Sequence, residues 1–349
     1  MDSSGKRFKK GRGTSVNTSN RFERLSYEPL PEDEEKSLKT KFIEIAPKSI
    51  VNKVMSPDVG MDYSLNPYQG CEHGCTYCYA RPTHEFWGYS AGVDFEQTIL
   101  VKKNAPELLR QTFEKRSWVV KPIVLSGNTD CYQPAEKTFE ITRELLKVFL
   151  EYQHPVGIIT KNALLLRDLD IIEKLSQKRL ITVNVTITTL DESLRSKLEP
   201  RTSTIKKRFE MVSKLRAIDV PAHVMMSPAI PALNDHELLP MAKAAKEAGA
   251  SSFSSHIVRL MGKNEELFER WLDAHFPDRS SKVMEQIRAL HNGRTGSSEF
   301  GVRGRGVGVL AENLRSQRKL AIRKYFPDQS PAILDTTLFQ RPSDQLRLF

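Results

Sequence analysis

An α/β fold, specifically a partial (β/α)6 barrel of TIM type, is predicted by three observations. Between residues 118 and 260 apolar runs alternate with amphipathic stretches of helical period. The apolar runs are rich in Val and Ile, as befits parallel strands covered on both faces. A Cys-rich loop at 66–81 needs a strand just before it, which brings the repeat to about six βα units and leaves the barrel open along one side.

In chain order, the first strand is expected within Val59–Leu65. The next are Pro122–Ser126 (PIVLS), Val156–Thr160 (VGIIT), Ile181–Thr188 (ITVNVTIT), Ala222–Met226 (AHVMM) and Ser252–Arg259 (SFSSHIVR), the last more polar than the others. Helices are predicted over Ala135–Gln153, with Phe139, Leu145, Leu146, Phe149 and Leu150 on one face, and over Leu164–Gln177, with Leu165, Leu169, Ile172 and Leu175. Two more follow at Thr204–Ile218 and Asp235–Ala248, the latter with Asp235 as N-cap and Gly249 as the stop beyond its end. Leu310–Tyr325 has the pattern of a helix with a basic face.

The flanks differ in composition. Residues 1–25 hold seven basic groups (Lys6, Arg7, Lys9, Lys10, Arg12, Arg21, Arg24) against Asp2 and Glu23, a net of +5. They are poor in aliphatic residues and cannot fold alone. An acidic linker, EPLPEDEEK, follows. A second basic region runs from Arg294 to Lys324, with eight basic groups against Glu299 and Glu312, and contains EFGVRGRGVGV. The expected division is a flexible basic tail and linker over 1–45, the barrel over 46–295 and a C-terminal extension over 296–349. The 349-residue chain has a net charge of +10, which suits solubilising tails and solvated faces first and contact with a phosphate backbone second. Four Cys in this length exclude a disulfide framework, no apolar run is long enough to span a membrane, and MDSSGKRFKKGRG is not a secretory signal. The expected compartment is a reducing cytoplasm, with no membrane partner.

The most informative stretch is NPYQGCEHGCTYCYAR, where Cys71, Cys75 and Cys78 have C-x3-C-x2-C spacing. Thiols this close in a reducing compartment are metal ligands first. A tetrahedral zinc site would need a fourth protein ligand, from His73 or the distant Cys131. An iron–sulfur cube on three thiolates leaves one iron open for a small molecule. Gly70 and Gly74 let the loop wrap a bulky cluster, and its place after a strand puts it at the C-terminal mouth of the barrel.

This loop, with Tyr77 just before the third Cys, resembles the signature of radical S-adenosylmethionine (radical SAM) enzymes. The stretches TDCYQPAE, LEPRTST and SPAIPALND are similar to the branch related to spore photoproduct lyase, and within it to uncharacterised radical SAM relatives. The resemblance covers roughly residues 45–290. It implies a [4Fe-4S] cluster on Cys71, Cys75 and Cys78, with S-adenosyl-L-methionine (SAM) chelating the open iron.

It further implies a SAM slot built from the strand ends. Ser126, Gly127 and Asn128 match the position against the SAM amino group. Asp130 and Glu136 would bind polar groups of SAM or substrate, the alternative for Asp130 being a turn or N-cap. Lys161 would neutralise the SAM carboxylate or snorkel from the rim. Either Asn184, Thr186 and Thr188 or Val183, Val185 and Ile187 face the lumen, and the polar set suits a charged cofactor. Arg201 would fork onto a carboxylate, oriented by Glu199. Ile230 would pack on adenine. Cys131 is either a hydrogen-atom donor, as a Cys is in the related lyase, or a small buried apolar residue.

The implied activity is reductive cleavage of SAM to a 5′-deoxyadenosyl radical that abstracts hydrogen from substrate, with a reductant such as flavodoxin or ferredoxin as partner. Nucleic-acid repair or modification, lyase-like, is the first substrate expectation. Modification of a protein or small molecule is the second. A zinc-stabilised, non-catalytic nucleic-acid-binding protein is the reading from another class.

Overall fold

The computed structural model describes residues 11–22 and 39–342. Two short strands open the second stretch, β1 (Lys41–Glu44) and β2 (Val51–Lys53). Then come β3 (Tyr63–Leu65), β4 (Tyr68–Gln69), β5 (Thr98–Val101), β6 (Ile123–Leu125), β7 (Val156–Thr160), β8 (Ile181–Thr186), β9 (Ala222–Ala229) and β10 (Ser252–Ile257). The main sheet has the order β10-β9-β8-β7-β6-β3-β2. From β3 to β10 every neighbouring pair is parallel, giving the six parallel strands expected of a (β/α)6 architecture, and β2 joins antiparallel at the edge. A second small sheet, β1-β5-β4, was not foreseen. Its strands are four residues or fewer, too short to show a period.

Helices follow the strands in order: α1 (Val93–Gln97), α2 (Ala105–Glu114), α3 (Glu136–Phe139), α4 (Ile141–Glu151), α5 (Leu169–Gln177), α6 (Glu192–Leu198), α7 (Ile205–Ala217), α8 (Leu238–Glu247), α9 (Asn264–His275), α10 (Pro277–Leu290) and α11 (Gly308–Tyr325). The helix expected over Ala135–Gln153 is broken at Glu140, which takes a left-handed φ of 50°. The break lets the buried carboxylate of Glu136 accept from the Thr142 N–H at the start of the next helix. Asp235 does not cap α8 but opens a short 3-10 turn after Asn234, whereas Gly249 does stop the helix, at φ +91°.

One face of each central strand fills the core. Val183, Val185 and Ile187 are fully buried there, while Thr182, Asn184 and Thr186 line an interior cavity. Each Val or Ile so buried contributes roughly 1.5–3 kcal/mol relative to an exposed one.

The flanks are more ordered than their composition suggests. Residues 11–22, expected within a flexible tail, dock on the main body. Gly13 N–H and the Thr14 hydroxyl donate to the Glu96 carboxylate at 2.9 and 3.0 Å, and Arg12 donates to the Glu96 carbonyl at 2.7 Å. Glu96 is fully buried and also holds Arg81, itself fully buried, at 2.5 Å. Val16 and Phe22 are the segment's only large apolar residues, and backbone and polar groups attach most of it, a mode that composition does not reveal. Lys6, Arg7, Lys9, Lys10, Arg24 and the acidic linker lie outside the described residues. At the other end, α11 packs on α8 and β10, and residues 329–334 line the cavity at the N-terminal ends of the strands.

Replacing Glu96 by Gln keeps the shape but strips buried Arg81 of its counter-charge, at a cost of about 3–5 kcal/mol. The expected result is a lower denaturation midpoint together with faster tryptic cleavage after Arg12. An unchanged midpoint and cleavage rate would contradict the role given to this pair.

Candidate functional site

A cavity of about 950 Å3 runs from the Cys loop down the inside of the sheet. Its upper wall holds Cys71, Cys75, Cys78, Tyr77, Ser126, Gly127, Asn128, Asp130, Lys161 and Thr186. The lower wall is polar: His223 bonds Ser252 and Ser254 at 2.6 and 2.7 Å, and His256 meets Ser227 at 3.0 Å. Burial pushes His223 down to about 4, so it presents a neutral ring at pH 7. This explains the polar composition of β10, whose Ser252, Ser254 and His256 alternate toward the cavity.

The Cys loop is pinned along its backbone by residues distant in sequence. Gln133 accepts from Glu72 N–H and donates to the Gly70 carbonyl, at 2.9 and 3.1 Å. Cys71 N–H donates to the Phe95 carbonyl at 2.8 Å. The Cys75 carbonyl accepts from Arg81 Nε at 2.9 Å, and the Cys78 carbonyl from Asn264 at 2.7 Å. Thr76 N–H reaches the Leu198 carbonyl at 3.2 Å. The turns need glycine. Gly70 sits at φ +78°, where a Cβ would lie 2.7 Å from the Thr98 carbonyl, and Gly74 at φ +67°, where it would lie 2.8 Å from Glu96 Oε2.

The donor set favours a multi-iron cluster over a single ion. Among the described residues no three His, Cys, Asp or Glu side chains close on one ion. Both ring nitrogens of His73 are engaged, with Asp130 at 3.3 Å and Asn162 at 3.2 Å, so His73 does not serve as a zinc ligand. Cys131 is fully buried in the hydrophobic core and does not line the cavity, the setting of a small apolar residue. Three thiols at one cavity end suit a cube whose irons each take a different thiolate. Burial pushes the Cys71 and Cys75 thiols up, so cluster assembly releases protons.

Behind the loop lies a buried polar knot. Glu199 takes the Arg208 guanidinium at 2.6 Å and the Thr188 hydroxyl at 2.6 Å, and the Tyr77 hydroxyl donates to it. Glu199 therefore orients Tyr77 rather than Arg201. Arg201 instead pairs with Glu72 at 3.0 Å and lies off the cavity wall. Thr188 likewise serves the knot and not the cavity. Ile230 packs behind the loop with Cys75 and Tyr77 in a second core cluster, so it does not form a face of the cavity. Glu136 is buried among Tyr68, Thr142 and Arg167, also away from the cavity.

Three expected positions do face the lumen from one corner. Ser126 takes a left-handed φ of 73° with its hydroxyl accepting from Cys131 N–H at 2.7 Å. The Gly127 carbonyl accepts from the Tyr79 hydroxyl at 2.7 Å, and Asn128 is held by Asn66 at 2.8 Å. Asp130 lines the cavity and also organises it, accepting from Thr160 Oγ1 and Lys161 N–H at 2.8 Å each. Burial alone would raise its pKa, but His73 and these N–H donors outweigh it and hold the carboxyl below its ordinary value. The Lys161 ammonium lies 5.9 Å from the Tyr77 ring centre.

Gln133, Asn264, Arg81 and Glu96 were not foreseen as site residues. Gln133 and Asn264 act through hydrogen bonds across long sequence separations, and Arg81 and Glu96 through a buried network that also ties in residues 12–14, so none leaves a local pattern.

Burial would raise Glu199, but Arg208, Lys161 and the Thr188 and Tyr77 hydroxyls carry it down to about 2 from an ordinary 4.5. Its stabilising contribution is thus complete above pH 4.5 and is lost as pH falls toward 2. Glu199→Gln is expected to cost about 3–5 kcal/mol near neutral pH. The gap from wild type should shrink below pH 4.5 when cluster-free protein is unfolded by denaturant over a pH series. A gap that stays constant with pH would refute the assignment.

The comparisons with known proteins speak to family and fold. The family described as the radical SAM superfamily matches residues 65–245. An uncharacterized protein of Mycobacterium tuberculosis is 33% identical over 253 residues, covering 71% of this chain and 74% of its own. One of Methanocaldococcus jannaschii is 32% identical over 201 residues, covering 58% and 72%. Among solved structures, spore photoproduct lyase complexed with dinucleoside spore photoproduct aligns with a TM-score of 0.59 over 82% of this chain and 80% of that one, at 13% identity. A variant of that lyase with bound AdoMet and dinucleoside spore photoproduct gives 0.61 over 87% and 85%, at 14% identity. At these identities the likeness is one of fold.

Proposed function

The chain belongs to the radical SAM superfamily, and from that premise we propose that it cleaves SAM at a cluster held by Cys71, Cys75 and Cys78 and directs the resulting radical at a nucleic acid or a fragment of one. The superfamily implies an enzyme with a [4Fe-4S] cluster and SAM, supplied with electrons by an external reductant. When bound, these groups supply one electron and a 5′-deoxyadenosyl radical formed as the C–S bond of SAM breaks. The observation that carries the reading is the three-thiol loop opening onto a large cavity at the C-terminal ends of parallel strands.

The chain's own residues would do the rest. Cys71, Cys75 and Cys78 would hold three irons, leaving the fourth for SAM. The polar corner formed by Ser126, Gly127 and Asn128 would receive the SAM amino group. Lys161 would balance its carboxylate, and Thr186 and Asn184 would keep that stretch of wall polar. Tyr77, fixed by Glu199 and Thr188, would shield the buried side of the loop from water. The nucleic-acid assignment is supported by the net charge of +10 and by arginines at the cavity mouth, among them Arg259 and Arg303. Its fold neighbour was solved with a dinucleoside photoproduct. Among the described residues no helix is long and apolar enough to cross a membrane.

Single replacement of Cys71, Cys75 or Cys78 by Ala is expected to abolish formation of 5′-deoxyadenosine while leaving the far-ultraviolet circular dichroism unchanged. A variant that turned over SAM at the wild-type rate would end the cluster assignment. For the substrate, affinity for single-stranded and duplex oligonucleotides should fall linearly on a log–log salt plot. Binding that is absent, or indifferent to salt, would remove the nucleic-acid reading.

A further inference from the structure

On the open side of the sheet, two arginines meet the cavity mouth with different prospects. Arg303 is committed: it pairs with Asp58 at 2.9 Å, and the neighbouring Gly301 N–H donates to the same carboxylate at 3.0 Å. This latch ties the Gly/Arg segment to the loop after β2, across the gap between the first and last strands of the sheet. Arg259, just beyond β10, lies half-buried on the cavity wall. It has no carboxylate within ion-pair distance and no hydrogen bond among the described residues. The ring of Tyr79 lies 5.8 Å from the guanidinium carbon, and Asp58, itself latched to Arg303, acts on the guanidinium from beyond ion-pair distance.

A guanidinium withdrawn from water without an anion is costly, and a planar fork of N–H donors is built for two oxygens. Burial, and then the proximity of Arg303, lower its pKa and outweigh Tyr79 and the more distant Asp58, so this cation gains from an arriving negative charge. Tyr79 fixes the plane beneath it, because its hydroxyl is tied to the Gly127 carbonyl. The site lines the same cavity as Lys161, the expected partner of the SAM carboxylate. The lumen, at about 950 Å3, lies near the top of the range of roughly 300–1,000 Å3 found for small-molecule sites.

We propose that Arg259 and Tyr79 form a substrate subsite for a single oxyanion, a phosphoryl or carboxylate group, presented to the cavity from its open side. The subsite rests on the reading of the cavity as the SAM and substrate chamber. It makes Arg259 a specificity residue, since a neutral analogue would leave the guanidinium without a partner.

Residue-resolved labelling of the reconstituted holoenzyme with phenylglyoxal tests this, with peptide mapping of Arg259 and Arg303. Inorganic phosphate, sodium acetate and SAM serve as separate protectants. Arg259 is expected to react faster than the latched Arg303, and saturating phosphate should slow it about tenfold, equivalent to about 1.4 kcal/mol. Protection by phosphate alone assigns a phosphoryl group, and equal protection by acetate assigns a carboxylate. Failure of both anions to protect, an unreactive Arg259, or protection by SAM as strong as that by the anions would overturn the proposal. Loss of SAM cleavage by the wild-type chain would strike the functional reading above and leave this labelling outcome as it stands.

Discussion

Everything in this structure depends on a short loop being held in one conformation from outside. Three cysteines within eight residues cannot impose their own geometry. Their backbone is fixed because Gln133 takes up two of its polar groups, and Phe95, Arg81, Leu198 and Asn264 one each. Two fully buried ion pairs, Arg81–Glu96 and Glu199–Arg208, secure the loop from different directions. Such pairs add little to stability as compared with apolar substitutes, but breaking one leaves a stranded charge. Here their use is positional. One places a guanidinium on the Cys75 carbonyl, and the other locks Tyr77.

The alternation of the strands divides the labour. Val183, Val185 and Ile187 enter the apolar core, while Thr182, Asn184 and Thr186 turn to the cavity. On β9 and β10 the cavity-facing positions include His223, Ser227, Ser252, Ser254 and His256, which set polar groups among apolar ones such as Met225 and Ile257. Neutral histidines bonded to serines offer hydrogen bonds without charge, leaving Lys161 and Arg259 to meet anionic groups. The open edge of a six-unit barrel is what makes a lateral entrance available, and the Asp58 latch narrows it.

Much of the fold was legible because a buried parallel strand writes a run of Val and Ile, and a covering helix writes a 3.6 period. Val156–Thr160 was predicted to the residue. The thiol trio was legible because metal binding demands fixed spacing. Arg201, Ile230, Thr188 and Cys131 were misplaced for a common reason. Proximity in sequence to a strand end does not say which side of the turn a side chain leaves from, and these four leave toward the protein interior or the outer rim. The docking of residues 11–22 was hidden because backbone amides and small hydroxyls, not apolar side chains, attach it to Glu96. The partners of the Cys loop were hidden because a hydrogen bond from Asn264 to Cys78 spans 186 positions.

The account turns on one iron of the cluster being free of protein ligands. Mössbauer spectroscopy of the anaerobically reconstituted chain, recorded with and without SAM, addresses this directly. The account predicts that one iron site changes its parameters when SAM is added while the other three do not. Four sites that stay alike and unmoved by SAM, or a preparation that holds zinc in place of iron and sulfide, would contradict it.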